Sequence, residues 1–350
     1  SSPFATLAKA VSAIEDNGGV GTIHLYSNIL LEDTLKINGS IKLVNEGAPC
    51  TIFRDSGFID TMFEVYGQLE LGNSELNNQP EATLLTINGN IADEEVCGSI
   101  ICNDRGSIIL NNGVVLEKNF SQFSGGAIEN YGSILMKGGV IQNNRTKGNG
   151  AGIYNEGNIT ILGGSIRHNE ALSNYGGQGG GIYTSFGILN IAGGSIHDNR
   201  ASYGGGGISC YGASLYISDG SIHDNKAPYG AGFELFDSNA TMSGGKIFGN
   251  TGYADEETFG SGVDITDSTF TVLGNASIYL DNEVALNDWY SPFEERMIKS
   301  YITVAGSLSD DIPIIRVSKY YYNNDTDMLE YYYPLGDQII KSAGEYTLRA

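Results

Sequence analysis

The sequence predicts an all-β fold, a right-handed parallel β-helix. This is a solenoid of stacked coils, with three short strands in each coil and a capping helix at its N-terminus. Three observations predict it: a repeat of about 25 residues, apolar alternation of period two in pieces too short for helices, and 49 Gly against 7 Pro in 350 residues. Fixed-period self-similarity is the mark of a solenoid.

The repeat is read from coils that open on a Gly motif and close on Asn. Gly125-Gly126-Ala127-Ile128 leads to Asn144, and Gly150-Ala151-Gly152-Ile153 to Asn169. Gly179-Gly180-Gly181-Ile182 leads to Asn199, and Gly205-Gly206-Gly207-Ile208 to Asn225. Gly230-Ala231-Gly232-Phe233 leads to Asn250, and Gly260-Ser261-Gly262-Val263 to Asn282. A less regular copy runs from Ile101 to Asn119, and successive closing Asn residues lie 25, 25, 30, 26, 25 and 32 apart. The second apolar piece of each coil alternates, as in Ile159-Thr160-Ile161 and Leu215-Tyr216-Ile217. Alternation of this kind means a strand with one face inside. The third piece is a single Ile: Ile166, Ile196, Ile222 or Ile247. Stacking aligns Ile on Ile and Asn on Asn, with the Asn side chains bonding to corner backbone and to each other.

The chain reads as one β-helix domain over 1–350. Residues 1–19 form a helical cap, 20–97 irregular early coils, 98–282 regular coils, and 283–350 late coils with a C-terminal cap. The cap helix is expected over 4–17, with Phe4, Leu7, Ala8, Val11 and Ile14 on one face. Ser2 is its expected N-cap residue, Pro3 its first helical residue, and Asn17-Gly18-Gly19 its stop. Strands are expected at 22–26, 34–37, 41–44, 50–53 and 62–71, and an excursion at 74–97. Ile302, Val304, Ile314, Ile315 and Val317 continue the alternation, and a tyrosine-rich tail follows.

Gly125-Gly126-Ala127-Ile128 and the Ile-x-x-Asn closures resemble the repeats of polymorphic outer-membrane proteins and related surface adhesins. Those repeats pair GGA-[ILV] with Phe-x-x-Asn; here Ile replaces Phe, and most opening motifs read Gly-x-Gly-Ile. The resemblance covers about 98–282. It implies a pectate-lyase-like right-handed β-helix and an extracellular or cell-surface location, in the manner of bacterial secreted proteins.

The formal net charge of −22 disfavours polyanionic partners, nucleic acid and polyuronates among them. Neutral glycans, surface proteins and cations remain as partners. No apolar run approaches the roughly 18 residues that span a bilayer, and no leader-type segment is visible. The four cysteines, Cys50, Cys97, Cys102 and Cys210, match no zinc or redox spacing. Cys97 and Cys102 are near enough in sequence for pairing to be an open question. Sequons such as Asn144-Arg145-Thr146 arise by chance in so Asn-rich a chain.

Aligning the coils gives outward columns. One holds Glu129, Tyr154, Tyr183, Ser209, Glu234 and Asp264. Glu234 and Asp264 are then neighbours on adjacent coils, with carboxyls about 5 Å apart, close to a retaining-glycosidase separation. Asp237 and Asp267 make a second acidic pair. Calcium on these acids is the only cofactor alternative, and no metal site is assigned. A second column carries Arg167, His197 and His223, too few ligands to define a metal centre. Tyr175, Tyr203, Tyr229 and Tyr253 precede successive coils and would form an aromatic stripe with Tyr154 and Tyr183, suited to sugar rings.

These features favour a non-catalytic, adhesin-like solenoid that binds glycans or partner surfaces. The alternative is a glycoside hydrolase acting on a neutral glycan through Glu234 and Asp264, with Asp237 and Asp267 as further candidates. Lacto-N-biosidases of gut bacteria also look like β-helix proteins with acidic pairs. A polysaccharide lyase fits less well, because the 19 Lys and Arg residues form no cluster. A purely structural stalk is the third reading.

Overall fold

The computed structural model describes residues 4–73, 84–90, 97–172, 176–253, 262–273, 276–278, 284–291, 296–298, 301–305, 315–323, 328–338 and 346–349, with backbone alone beyond Val284. Its architecture is the expected parallel β-solenoid with one short N-terminal helix.

Three long parallel ladders run the length of the molecule. The first links Leu35–Ile37, Phe63–Val65, Ile101–Asn103, Ile128–Asn130, Ile153–Asn155, Ile182–Ser185, Ile208–Tyr211, Phe233–Phe236, Val263–Thr266 and Val284–Ser291. The second carries the alternating piece, as in Ser133–Met136 on Asn158–Ile161. The third carries the single-Ile piece, as in Val140–Gln142 on Ser165–Arg167. Strands Ile188–His197 and Ser214–His223 run through both second and third ladders. A fourth, two-residue ladder follows the closing Asn: Phe120–Ser121, Arg145–Thr146, Glu170–Ala171 and Arg200–Ala201. The expectation of three strands per coil omits it, because two residues are too short to show a period.

One continuous apolar core runs from Leu7 to Val284. The Gly motif is explained by crowding at the corner before the first ladder. Gly150, Gly179, Gly205 and Gly230 have φ between 49° and 66°, a region open to Gly at little cost. Two residues on, a Cβ at Gly181 or Gly207 would come within 2.6 Å of the next coil's carbonyl oxygen. The residue before the closing Asn is also left-handed: Asn143, His168, Asp198, Asp224 and Gly249, with φ between 53° and 65°. This kink turns the closing Asn inward.

Asn119, Asn144, Asn169, Asn199, Asn225 and Asn250 are at most 1% exposed and form one ladder. In each step from Asn144 to Asn250, the backbone N–H and Nδ2 of one Asn donate to Oδ1 of the next at 3.0–3.1 Å. Each Nδ2 also donates to a carbonyl of the preceding coil, such as Ile166 O at 2.8 Å from Asn199. Asn282 lies outside the described residues. A second internal run, Asn103–Asn130–Asn155, is bonded side chain to side chain at 2.6 Å.

Arg54 closes the first end of the long Asn ladder. Its guanidinium is buried and donates to Asn119 Oδ1 at 3.1 Å and to the carbonyls of Gly98 and Ser99. The Cys97 thiol reaches the same Oδ1 at 3.2 Å. Arg54→Met is expected to cost roughly 3 kcal/mol, because several buried acceptors lose a charged donor together. Hydrogen exchange should then rise most across residues 98–126; unchanged protection there would refute this role.

The cap helix spans Leu7–Glu15, shorter than expected. Its N-cap is Thr6, whose Oγ1 accepts from Lys9 N–H at 3.2 Å, in place of Ser2, which lies outside the described residues with Pro3. Leu7, Ala10 and Val11 form the buried face, while Phe4 and Ala8 are exposed. Phe4 precedes the helix, so the helical period does not apply to it. The 62–71 segment breaks at Tyr66-Gly67 into two strands in different ladders, Phe63–Val65 and Gln68–Leu71. Within 74–97, Leu85–Asn88 joins the third ladder, and 74–83 and 91–96 lie outside the described residues. Ile29–Leu31, also in the third ladder, was not expected.

At the far end the chain turns antiparallel. Met328–Gln338 pairs with Ile315–Asn323, and Tyr346–Arg349 with Tyr301–Ala305. Antiparallel partners thus cover the last edge of the first and second ladders, which would otherwise invite pairing with other chains.

Candidate functional site

The site is the outer face of the first ladder. Registration places Cys102, Glu129, Tyr154, Tyr183, Ser209, Glu234 and Asp264 in one column, each the Cα partner of the next. The expected column therefore exists. Its chemistry changes along the axis, from half-open tyrosines and acids to a buried acid pair.

In the open half, Tyr131 meets Tyr154 edge-on at 6.4 Å, and Tyr154 stacks on Tyr183 at 5.6 Å with planes 12° apart. Tyr131 is exposed and Tyr154 half-buried, while Tyr183 is buried and backs Tyr154 from the following coil. Tyr131 donates to Glu129 Oε1 at 2.7 Å and Tyr154 to Glu156 Oε1 at 2.6 Å. Burial pushes the Glu129 carboxyl up, against the Tyr131 bond, and Glu156 adds to the rise.

In the closed half, Glu234 is 8% exposed and Asp264 3%. Glu234 Oε2 accepts from Ser209 Oγ at 2.9 Å and from Gln178 Nε2 at 3.3 Å. The carboxylate packs on Gly204, where any Cβ would collide with it. Burial first, and Asp264 on the next coil second, raise the Glu234 pKa to about 8, against the opposing Ser209 bond. Thr266 Oγ1 donates to Asp264 Oδ1 at 3.4 Å.

Glu234 and Asp264 are thus brought together, but inside the wall. The alignment could not show this, because the Gly-rich segment that covers them comes from the preceding coils. Asp237 and Asp267 occupy left-handed corner positions, both with φ 47°. Asp237 is exposed there and its N–H donates to Thr266 O.

Tyr203 and Tyr229 lie 5.1 Å apart with planes 50° to each other. Burial and the nearby Glu234 raise the Tyr203 pKa. Tyr253 is engaged by Arg200: the guanidinium lies 4.7 Å over its ring, and its hydroxyl bonds Ala201 O. Tyr175 lies outside the described residues.

Sequence reasoning missed a second aromatic ribbon. Tyr211 and Phe236 end their first-ladder strands and Phe186 follows its own, with centroids 5.6 and 5.4 Å apart, and all are exposed. Extending the coil alignment by two or three residues past the first column would have found it.

On the third ladder His197 stacks on His223 at 4.8 Å with planes 3° apart, and His223 on Phe248 at 4.6 Å. Each His Nδ1 is held at 2.7 Å by its following Asp. Parallel rings do not aim their nitrogens at one point. No group of three or more His, Cys, Asp or Glu able to hold a metal ion occurs among the described residues. All four cysteines are free thiols; Cys97 faces the Asn ladder and Cys102 lies in the outward column.

Comparison of the chain with protein-family models, with curated proteins and with solved structures finds no match.

Proposed function

We propose that the chain is an extracellular or surface-displayed, adhesin-like solenoid that binds neutral glycans on the outer face of its first ladder. The observation that carries this reading is the Tyr131–Tyr154–Tyr183 array with Glu129 and Glu156 bonded beside it. The exposed Tyr131 and half-buried Tyr154, backed by the buried Tyr183, offer ring surface to sugar C–H groups, and carboxylates accept from sugar hydroxyls. The charge of −22 favours neutral over acidic saccharides. A neutral-glycan array, scored for retention and cleavage, tests it. Retention is expected without cleavage, and Tyr131→Ala with Tyr154→Ala should weaken it at least tenfold, about 1.4 kcal/mol. Unchanged retention in that double variant would remove the reading.

Glycoside hydrolysis is the second reading, favoured by one observation. Glu234, with a pKa raised to about 8, is a protonated acid beside a second carboxyl on the next coil, as general-acid catalysis requires. Both groups are nearly enclosed, and a catalytic acid must touch its substrate, so binding ranks first.

A further inference from the structure

The third ladder carries a hydrogen-bonded relay unrelated to the glycan face. Ser165 Oγ lies 2.9 Å from His197 Nε2, and His197 Nδ1 lies 2.7 Å from Asp198 Oδ2. With the Nδ1 proton directed at the Asp198 carboxylate, Nε2 is the acceptor for the serine hydroxyl. The left-handed conformation of Asp198, φ 53°, accompanies the fold of its carboxylate back onto the preceding imidazole. His223 stacked on one side, and the edge of His168 at 6.3 Å, hold the His197 ring in place. His223 and Asp224 repeat the His–Asp pair one coil on. Among the described residues only the His197 Nε2 is met by a serine hydroxyl.

We propose that Ser165, His197 and Asp198 act as nucleophile, general base and orienting acid in the cleavage of exposed carboxylic esters. A nucleophile bonded to a base that is oriented by a third group is recognised by geometry, not by chain order. Ser165 Oγ adds to the ester carbonyl carbon while His197 Nε2 takes its proton. The tetrahedral centre collapses, the bond to the alkoxy oxygen breaks, and the alcohol leaves with the proton returned from Nε2. Water then adds to the acyl-serine with Nε2 as base, and release of the carboxylic acid restores Ser165.

Arg167 is the cation on the same strand. It lies two residues along the same short strand, Ser165–Arg167, and so on the same face. Its Nε and Nη2 donate to Gln142 Oε1 at 3.1 and 3.0 Å on the preceding coil. The serine thus has its base toward the following coil and its cation toward the preceding one. The His197 side chain is 17% exposed and that of Asp198 43%. A half-buried site on a flat ladder suits O-acyl groups displayed along a polymer, which can lie across a wall, better than a small ester that needs enclosure.

The test is labelling of the full chain by a fluorophosphonate probe, read by mass, together with hydrolysis of 4-nitrophenyl acetate. Labelling is expected on Ser165 and lost in Ser165→Ala. His197→Gln should slow labelling and hydrolysis at least about 100-fold, while His24→Gln, at an exposed histidine on the strand Val20–Leu25 away from the relay, leaves both unchanged. Tyr131→Ala with Tyr154→Ala should also leave labelling intact, so the glycan reading and this one can fail separately. An unlabelled wild-type chain, or equal labelling in a folded Ser165→Ala variant, would mark the relay as a surface polar ladder and overturn the proposal.

Discussion

Asn199→Ala is expected to lower stability by about 4 kcal/mol, the largest effect of any single side chain in the wall. Asn199 is 1% exposed. Its Oδ1 accepts from the N–H and Nδ2 of Asn169, and its Nδ2 donates to Ile166 O and Asn225 Oδ1. Truncation leaves the Asn169 donors and the Ile166 carbonyl without the amide on the preceding coil, and removes one of the two Asn199 donors to Asn225 Oδ1 on the following coil. Each orphan costs roughly 1–3 kcal/mol. An apolar residue of similar size would not help, since it fills the space and leaves the same orphans. In a solenoid each coil contacts only its neighbours, so exchange protection should fall across the coils of Asn169 and Asn225 first. Denaturant unfolding and site-resolved exchange together check this. A loss under 1 kcal/mol would mean that the ladder is ornament on a core held by Ile stacking alone.

The second large effect depends on pH. An acid whose folded pKa exceeds its unfolded value binds more protons when folded, so stability falls as pH rises between the two values. For Glu234 that window runs from the ordinary value of 4.5 to about 8. Its contribution is most favourable below the window and lost progressively through it. Each pKa unit is about 1.4 kcal/mol, so the penalty at pH 9 is on the order of a few kcal/mol. Glu234→Gln keeps an acceptor for Ser209 and removes the charge. The variant should match the wild type at pH 4 and exceed its Tm at pH 9. Parallel Tm curves across that range would show that Glu234 is not held protonated by the fold. Turnover on a neutral glycan that vanishes in the same variant would promote the hydrolase reading over the binding one.

Much of this molecule is written in its repeat. The 25-residue spacing, the Gly-x-Gly-Ile corners and the Ile-x-x-Asn closures determine coil stacking, because stacked coils must place like residues over like. That suffices to register Glu234 with Asp264, Tyr154 with Tyr183 and His197 with His223. Tertiary structure alone decided depth and direction. Whether an outward residue meets solvent depends on chain from another coil, and Gly204 and Gln178 roof Glu234 while Asp237 stays open. The partner that closes the Asn ladder, Arg54, lies 65 residues from Asn119, outside any period that alignment reads. Tyr253 was drawn from the expected stripe to a guanidinium 53 residues away. Periodicity fixes which residues are neighbours along the axis, and only packing fixes which of them face water.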